Sequence, residues 1–446
     1  MKDKGLTEFN SFDGHLQVNG STIKLTFLVR IDPAGEVEFD FGTIALTSET
    51  KFIMDFWHNT GAKVKCYSLS GKSADEIEFN TDNLYFNSLG HSSSKESGSC
   101  MSPKGGCSSA KFRRKLSEPV SMPIIRMHVK GFRNFRQLKS KCNLGTITMV
   151  GKSSIEEPDM ITGYIEVFPD NEPSDLSAWR TESDKLLEHV RRVMSFASAA
   201  VLQVPIIEYF SDNSLEIHAL SQVSQTSASM RTIHFLNQQP VFDSAVLSFF
   251  NPPIKVKNLF FAIEWFSMSS TYNEVRLVNA MTVLENIIAS NFLDKDVMIQ
   301  PPKVFKKTRK ILRKVIKKCV EKWGPEEAEK AEEVLLELNE RLADLNRRSI
   351  FKKFKILVNR WSIPLNGISI DDFKRAKRAR DLIVHQGHYY EEEQGETVDL
   401  WQHVTVVREI VVRILLTAIG YKGSYCSYLG GYHEAQFPPQ EDENAY

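Results

Sequence analysis

Along this chain the prevailing spacing of apolar residues shifts at about residue 246, from every second residue to every third or fourth, and that shift constrains the fold more than any other feature. In the first part Ile23, Leu25, Phe27 and Val29 alternate with polar residues, as do Val37, Phe39 and Phe41, with "IDPAGE" between the two runs as a turn. Successive side chains of a strand point to opposite faces, so these runs predict half-buried antiparallel strands. Runs at "AKVKCYSL" (62–69), "MPIIRMHV" (122–129), "GTITMVG" (145–151) and "TGYIEVF" (162–168) extend the strand-rich reading to about residue 170.

A helical segment at about 182–202 and short strands at "PIIEYF" and "SLEIHAL" complete a first module, placed at 1–245. Ser, Gly and Lys dominate the stretch at about 87–119, which reads as a long flexible loop. From residue 246 the pattern is helical: Leu277, Met281, Leu284 and Ile288 fall on one stripe. Over 304–323, Ile311, Val315 and Ile316 form a narrow apolar strip among many Lys and Arg. Gly324-Pro325 breaks the chain and launches a helix with acidic residues early and arginines late, the order the helix dipole favours. Ser369 is the expected N-cap of a helix beginning at Asp371 and Asp372. A last helix over 399–419 places Leu400, Val404, Val407, Val411, Ile414 and Ala418 at core spacing. The expected class is α+β multidomain: a β-rich sandwich or barrel-like module, then an all-α bundle over 246–446 that ends in a frayed tail.

At 446 residues the chain is too long for one ordinary core, and its 42% apolar content suffices for globular folding. Lys plus Arg equals Asp plus Glu at 56 each, so no global field draws it to nucleic acid or membrane. Six thinly spread cysteines and an opening without an apolar signal core predict a reducing, cytoplasmic setting. The apolar run at 404–420 contains Arg408, Glu409 and Arg413, which excludes a bilayer span and predicts no membrane partner.

The chemistry-bearing stretch is "ARDLIVHQGH" (379–388), preceded by the basic "FKRAKR". On an ideal helix Arg378, Asp381, His385 and His388 share one stripe, and the Asp381–His385 spacing lets a carboxylate hold one imidazole nitrogen and leave the other free. Arg380 lies five residues before His385, about 140° around the helix axis. Either the chain turns near Val384 or a second subunit completes the set. Metal-independent RNA cleavage needs a base for the 2′-hydroxyl, an acid for the leaving 5′-oxygen and a fixed cation for the phosphate. Histidine and arginine supply those roles. The flank and "KTRKILRKVIKK" are suited to a phosphate backbone. A solvated helix end carries the same residue types, and spacing alone does not separate the two readings. Cys100 and Cys107, with His91 and Cys142, lack the spacing of a zinc knuckle, and no phosphate-binding glycine loop is present, so neither metal nor cofactor is expected. The run Glu391–Glu393 reads as a solvated face.

The helical half resembles the HEPN superfamily, whose ribonuclease members carry an Arg, four to six residues and a His, with a polar residue directly after the Arg. The matching residues are Arg380-Asp381-Leu382-Ile383-Val384-His385, and Leu284-Glu285-Asn286 is similar to the family's first core helix, where an acidic residue faces the arginine. A β-rich front module followed by such a bundle is similar to the ApeA-like proteins of bacterial anti-phage abortive infection. The resemblance implies an endoribonuclease that leaves 2′,3′-cyclic phosphate ends, acts on RNA such as tRNA, and works as a homodimer with a composite cleft. It further implies a front module that senses a phage-derived trigger. Arg380, His385 and Asp381 are the expected catalytic set, with Arg378, His388 and Glu285 in support. HEPN toxins controlled by nucleotidylation have a Tyr two residues after the His; here that position is Gly387, which argues against that control. The rival reading is a non-catalytic HEPN scaffold that dimerises or binds RNA or protein.

Overall fold

The computed structural model describes residues 6–18, 21–48, 50, 51, 53, 67–94, 98–153, 159–222, 230–268, 270–292, 294–323, 330–342, 344–389 and 399–439. The chain divides into two compact units. The first is Met1–Asn251 with Ser267–Ser269 and Ser424–Cys426; the second is Pro252–Phe266, Ser270–Gly423 and Ser427–Tyr446. A β-rich region is followed by a helical one, an α+β chain.

In the first unit β1 (Asn10–Val18), β2 (Ser21–Ile31), β3 (Val37–Asp40), β5 (Tyr67–Ser73), β6 (Glu78–Ser94) and β7 (Gly98–Cys107) close on themselves in the order β5-β1-β2-β3-β7-β6. The short β4 (Ile44–Ala45) adds to β7. The result is a closed six-stranded barrel rather than a sandwich, and closure removes the free edges that an open sheet would expose. Its interior is aromatic: Phe79 lies 5.5 Å from Phe39 and 5.1 Å from Phe112, centroid to centroid.

From β6 the ladder continues outward through β8 (Ser109–Lys115), β14 (Ser214–Leu220), β13 (Gln203–Ser211), β9 (Ile124–Lys130), β12 (Ile161–Phe168), β11 (Gly145–Gly151) and β10 (Leu138–Cys142), every pairing antiparallel. Helix α1 (Leu176–Ser198) packs on β9 and β12, with Leu186, Val190 and Val193 fully buried. It begins six residues before the expected start, because Asp175 caps it by accepting from the Ala178 amide at 3.0 Å. Helix α2 (Gln238–Phe250) packs on α1 and β10. Thr232 belongs to this unit too, and its carbonyl accepts from the Cys426 amide at 2.8 Å.

One expectation is corrected outright: the described residues of the segment at 87–119 are not a flexible loop but mainly strand, the second half of β6 and all of β7 and β8. Its inward positions at period two are Met101, Pro103, Gly105 and Cys107, only one of them an ordinary strand-forming apolar residue, so pairing with β3 and β6 supplies the order that composition hides. Burial pushes the Cys107 thiol up to about 12. Residues 62–66 of an expected strand, Gly324-Pro325, Glu391–Glu393 and 440–446 of the tail lie outside the described residues.

The second unit contains α3 (Leu259–Ser267, whose last residue joins the first unit), α4 (Asn273–Ser290), α5 (Asp294–Val297), α6 (Pro302–Val320), α7 (Ala331–Arg341), α8 (Ile350–Trp361), α9 (Ile370–Gln386) and α10 (Leu400–Ala418). Its core is the packing of α4 against α8, α9 and α10, with α9 also on α10. The expected stripe Leu277, Met281, Leu284 and Ile288 is buried there, as are Val407, Val411 and Ile414. The strip on α6 behaves otherwise: Ile311 and Val315 are 63% and 51% exposed. The two-stranded sheet of β15 (Gly423–Ser427) and β16 (His433–Phe437) has no counterpart among the sequence expectations. No helix among the described residues is long and apolar enough to cross a membrane.

Candidate active site

Helix α9 carries the chemistry-bearing motif and is fixed at both ends. At the start Ser369 and Asp372 form a reciprocal capping box, Asp372 N donating to Ser369 Oγ at 3.1 Å and Ser369 N donating to Asp372 Oδ2 at 2.8 Å. At the finish Gly387 takes φ 79° and its amide donates to Ile383 O at 2.9 Å, a left-handed cap that suits glycine. Phe373, Ala376 and Ala379 turn into the core, and the ring of Phe373 lies 4.8 Å from that of Phe354 on α8. With those positions facing inward, Arg380 and Asp381 come to the boundary and Arg378 and His385 to the surface.

The structure brings Arg380 and Glu285 together. Arg380 Nη2 donates to Glu285 Oε1 across the α4–α9 contact, and Nη1 forms an ion pair with Asp381 Oδ1 at 3.1 Å. The Arg380 side chain keeps 18% of its surface exposed, so the guanidinium is held in place yet reachable. Asp381 does not meet His385. Its second oxygen accepts from Lys377 one turn earlier, and both oxygens are thus occupied by cations on the side away from His385. Among the described residues His385 has no hydrogen-bond or ion-pair partner; it stands exposed in the last turn of α9. His388 is exposed beyond the cap.

No turn occurs at Val384, because α9 runs on to Gln386. On that continuous helix Arg380 and His385 are about 140° and ~7.5 Å apart along the axis. One chain therefore presents the two side chains on different faces. No family model, curated protein or solved structure matches this chain.

Two contacts outside the expected set help hold the site. Lys377 fixes Asp381, a pairing visible in the sequence as a Lys four residues before an Asp. Just after the cap, Tyr389 Oη lies 3.1 Å from Nε2 of the buried His403 on α10, with the rings edge to face at 5.7 Å; this ties the exit of α9 to the core, and nothing in the local sequence signals it. Asn286, beside Glu285, has its Oδ1 buried without a hydrogen-bond partner among the described residues.

The first unit has two polar regions of its own. A cavity of about 560 Å³ is lined by Lys72, Arg113, Arg114 and Lys115 together with Glu76, Glu78 and Asp212. Between α1 and the β13–β14 hairpin, Arg180 lies over the Tyr209 ring at 3.6 Å and bonds Glu216 at 3.2 Å. Burial there raises the Asp184 carboxyl, and burial followed by the Asp184 charge pushes Tyr209 up to about 12. Among the described residues no group of three or more His, Cys, Asp or Glu side chains is placed to hold a metal ion.

Proposed function

We propose that this chain is a metal-independent endoribonuclease of the HEPN type that acts in anti-phage defence. The observation that carries the reading is a cation pre-positioned by Glu285 on the same helix as an exposed His385 that has no partner among the described residues. His385 accepts the 2′-hydroxyl proton, the 2′-oxygen attacks phosphorus, and the bond from phosphorus to the 5′-oxygen breaks. An imidazolium protonates the departing 5′-oxygen, which leaves a 2′,3′-cyclic phosphate and a 5′-hydroxyl. Arg380 has five N–H donors, and those not directed at Glu285 and Asp381 remain for the phosphate oxygens as charge builds on them.

The straight course of α9 supports a homodimer. Because one helix cannot bring Arg380 and His385 to a common point, two copies with their α9 ends adjoining supply base, acid and arginines between them. In this reading Asp381 positions Arg380 and Lys377 instead of orienting His385. The β-rich module senses the phage trigger, tRNA is a candidate substrate, and the setting is cytoplasmic.

A scaffold that binds RNA without cutting it is favoured by one observation: two carboxylates already engage Arg380. The deciding experiment incubates the purified full chain in EDTA with total tRNA and with a long single-stranded RNA, comparing wild type, His385→Ala and Arg380→Ala. The nuclease reading expects cyclic-phosphate ends from wild type and a loss of about 10²-fold or more in each variant. Equal cutting by all three, or none by wild type, moves the conclusion to the scaffold.

A further inference from the structure

Helix α6 carries nine lysines and arginines and no acidic residue. At 100° per residue, eight of them fall within one arc of about 140° bounded by Arg313 and Lys318, and all eight are exposed. The ninth, Arg309, lies outside the arc and donates to Asn339 O on α7 at 3.3 Å. Among the described residues only Lys317 of the eight has a carboxylate partner, Glu321 at 3.8 Å. Crowding like charges on one helix face is unfavourable in isolation, and among the described residues the arc has little counter-charge beside it.

We propose that this face is a docking track for double-stranded RNA. The choice of polyanion rests on the ribonuclease reading; the choice of duplex rests on what the arc contains. It has no aromatic side chain on which a splayed base stacks, and no Asn or Gln to read base edges. Such a surface contacts phosphates and senses shape, which is how duplex RNA is recognised, whereas single strands are gripped by stacking. Nineteen helical residues extend ~28 Å, long enough to follow several phosphates. An anionic membrane would ask for something else: an interfacial helix sets an apolar face opposite its charged one. On α6 that opposite face, Phe305, Leu312 and Ile316, is half-buried and Val320 is buried, with α7 the helix packed against α6; only Val304, Ile311 and Val315 stand exposed, along one edge of the arc.

The test measures binding of the full chain carrying His385→Ala, so that no probe is cut, to a roughly 20-bp RNA duplex of mixed sequence and to a uridine oligomer of the same length. Reversing four charges of the arc (Lys306→Glu, Lys310→Glu, Lys314→Glu and Lys318→Glu) is expected to weaken duplex binding by about 100-fold and to make its salt dependence shallower by about 3 in log–log slope. Reversing Lys24, Lys51, Lys111 and Lys139, exposed lysines of the first unit, is expected to change it by less than about threefold. Thermal melts by circular dichroism confirm that both variants are folded. Duplex affinity unchanged by the arc reversal overturns the proposal, as does single-strand binding as tight as duplex binding. Loss of binding to phosphatidylglycerol vesicles with duplex binding intact would assign the arc to lipid headgroups and overturn it equally. If the EDTA assay shows no cleavage while duplex binding still depends on the arc, the nuclease reading fails and the docking track stands.

Discussion

Glu285 on α4 and Arg380 on α9 form an ion pair across two core helices, ninety-five residues apart in the chain. Only about a third of Glu285 and less of Arg380 is exposed, so the pair is screened less than a surface bridge, and each partner relies on the other.

Glu285→Gln preserves volume and removes the charge. Urea unfolding is expected to show a loss of about 1–2 kcal/mol, and RNA cleavage to fall at least about tenfold. In the double variant with Arg380→Ala the two stability losses should combine to less than their sum, the mark of a direct coupling. Strict additivity would show that the contact does not matter in solution.

Glu409 and Arg413 on α10 form a deeper pair, 3% and 6% exposed and 2.9 Å apart. Arg413 also donates to Pro364 O at 3.1 Å and Asn366 O at 2.8 Å, and Glu409 accepts from Ser427 Oγ at 3.0 Å. Arg413→Ala leaves a buried carboxylate without its cation and is expected to cost about 3–5 kcal/mol. Pairing Glu409→Leu with Arg413→Met should cost less than the single change, which chemical denaturation can resolve.

His189 is buried against Ser248, with Nε2 3.0 Å from Oγ, and burial lowers its pKa to about 4. In the unfolded chain the value is about 6.5, so the unfolded state binds the extra proton first. The stability His189 contributes is full above pH ~6.5 and is lost as pH falls through the window to about 4, roughly 3 kcal/mol in all. His189→Gln should flatten the stability–pH curve across that window. An unchanged slope would assign the acid sensitivity to other groups.

Gly387 closes α9 at φ 79°, where any L side chain is strained although the surrounding space is open. Gly387→Ala is expected to destabilise by about 1 kcal/mol and to fray the turn that carries His385. Faster hydrogen exchange in the 383–389 peptide, with cleavage reduced and α4 exchange unchanged, is the expected signature. The same strain explains why a tyrosine would not sit readily at this position.

Strands whose buried face is wholly apolar, such as β2 with Phe27 and Val29, are legible in sequence, and so are helix stripes such as Leu277 to Ile288. β1 escapes because its inward face runs Phe12, Gly14, Leu16: a Cβ on Gly14 would come within 2.0 Å of Ser70 O, so the gap in the pattern marks close strand approach. At the candidate site the motif residues can be named from spacing, but which carboxylate meets which cation cannot. Asp381 is one turn from both Lys377 and His385, and the choice between them depends on side-chain directions that the sequence does not carry. Glu285 could be tied to Arg380 only by family likeness, since no local spacing joins residues so far apart.

The bond from Cys426 to Thr232 has a bearing on how the molecule is made. Synthesis delivers the barrel, its outer sheet and both of their helices long before Ser424–Cys426, yet those three residues belong to the first compact unit. A nascent chain halted before residue 424 has the Thr232 carbonyl without its late partner, and a unit whose strands are made early is completed only by residues made after the helices of the second unit.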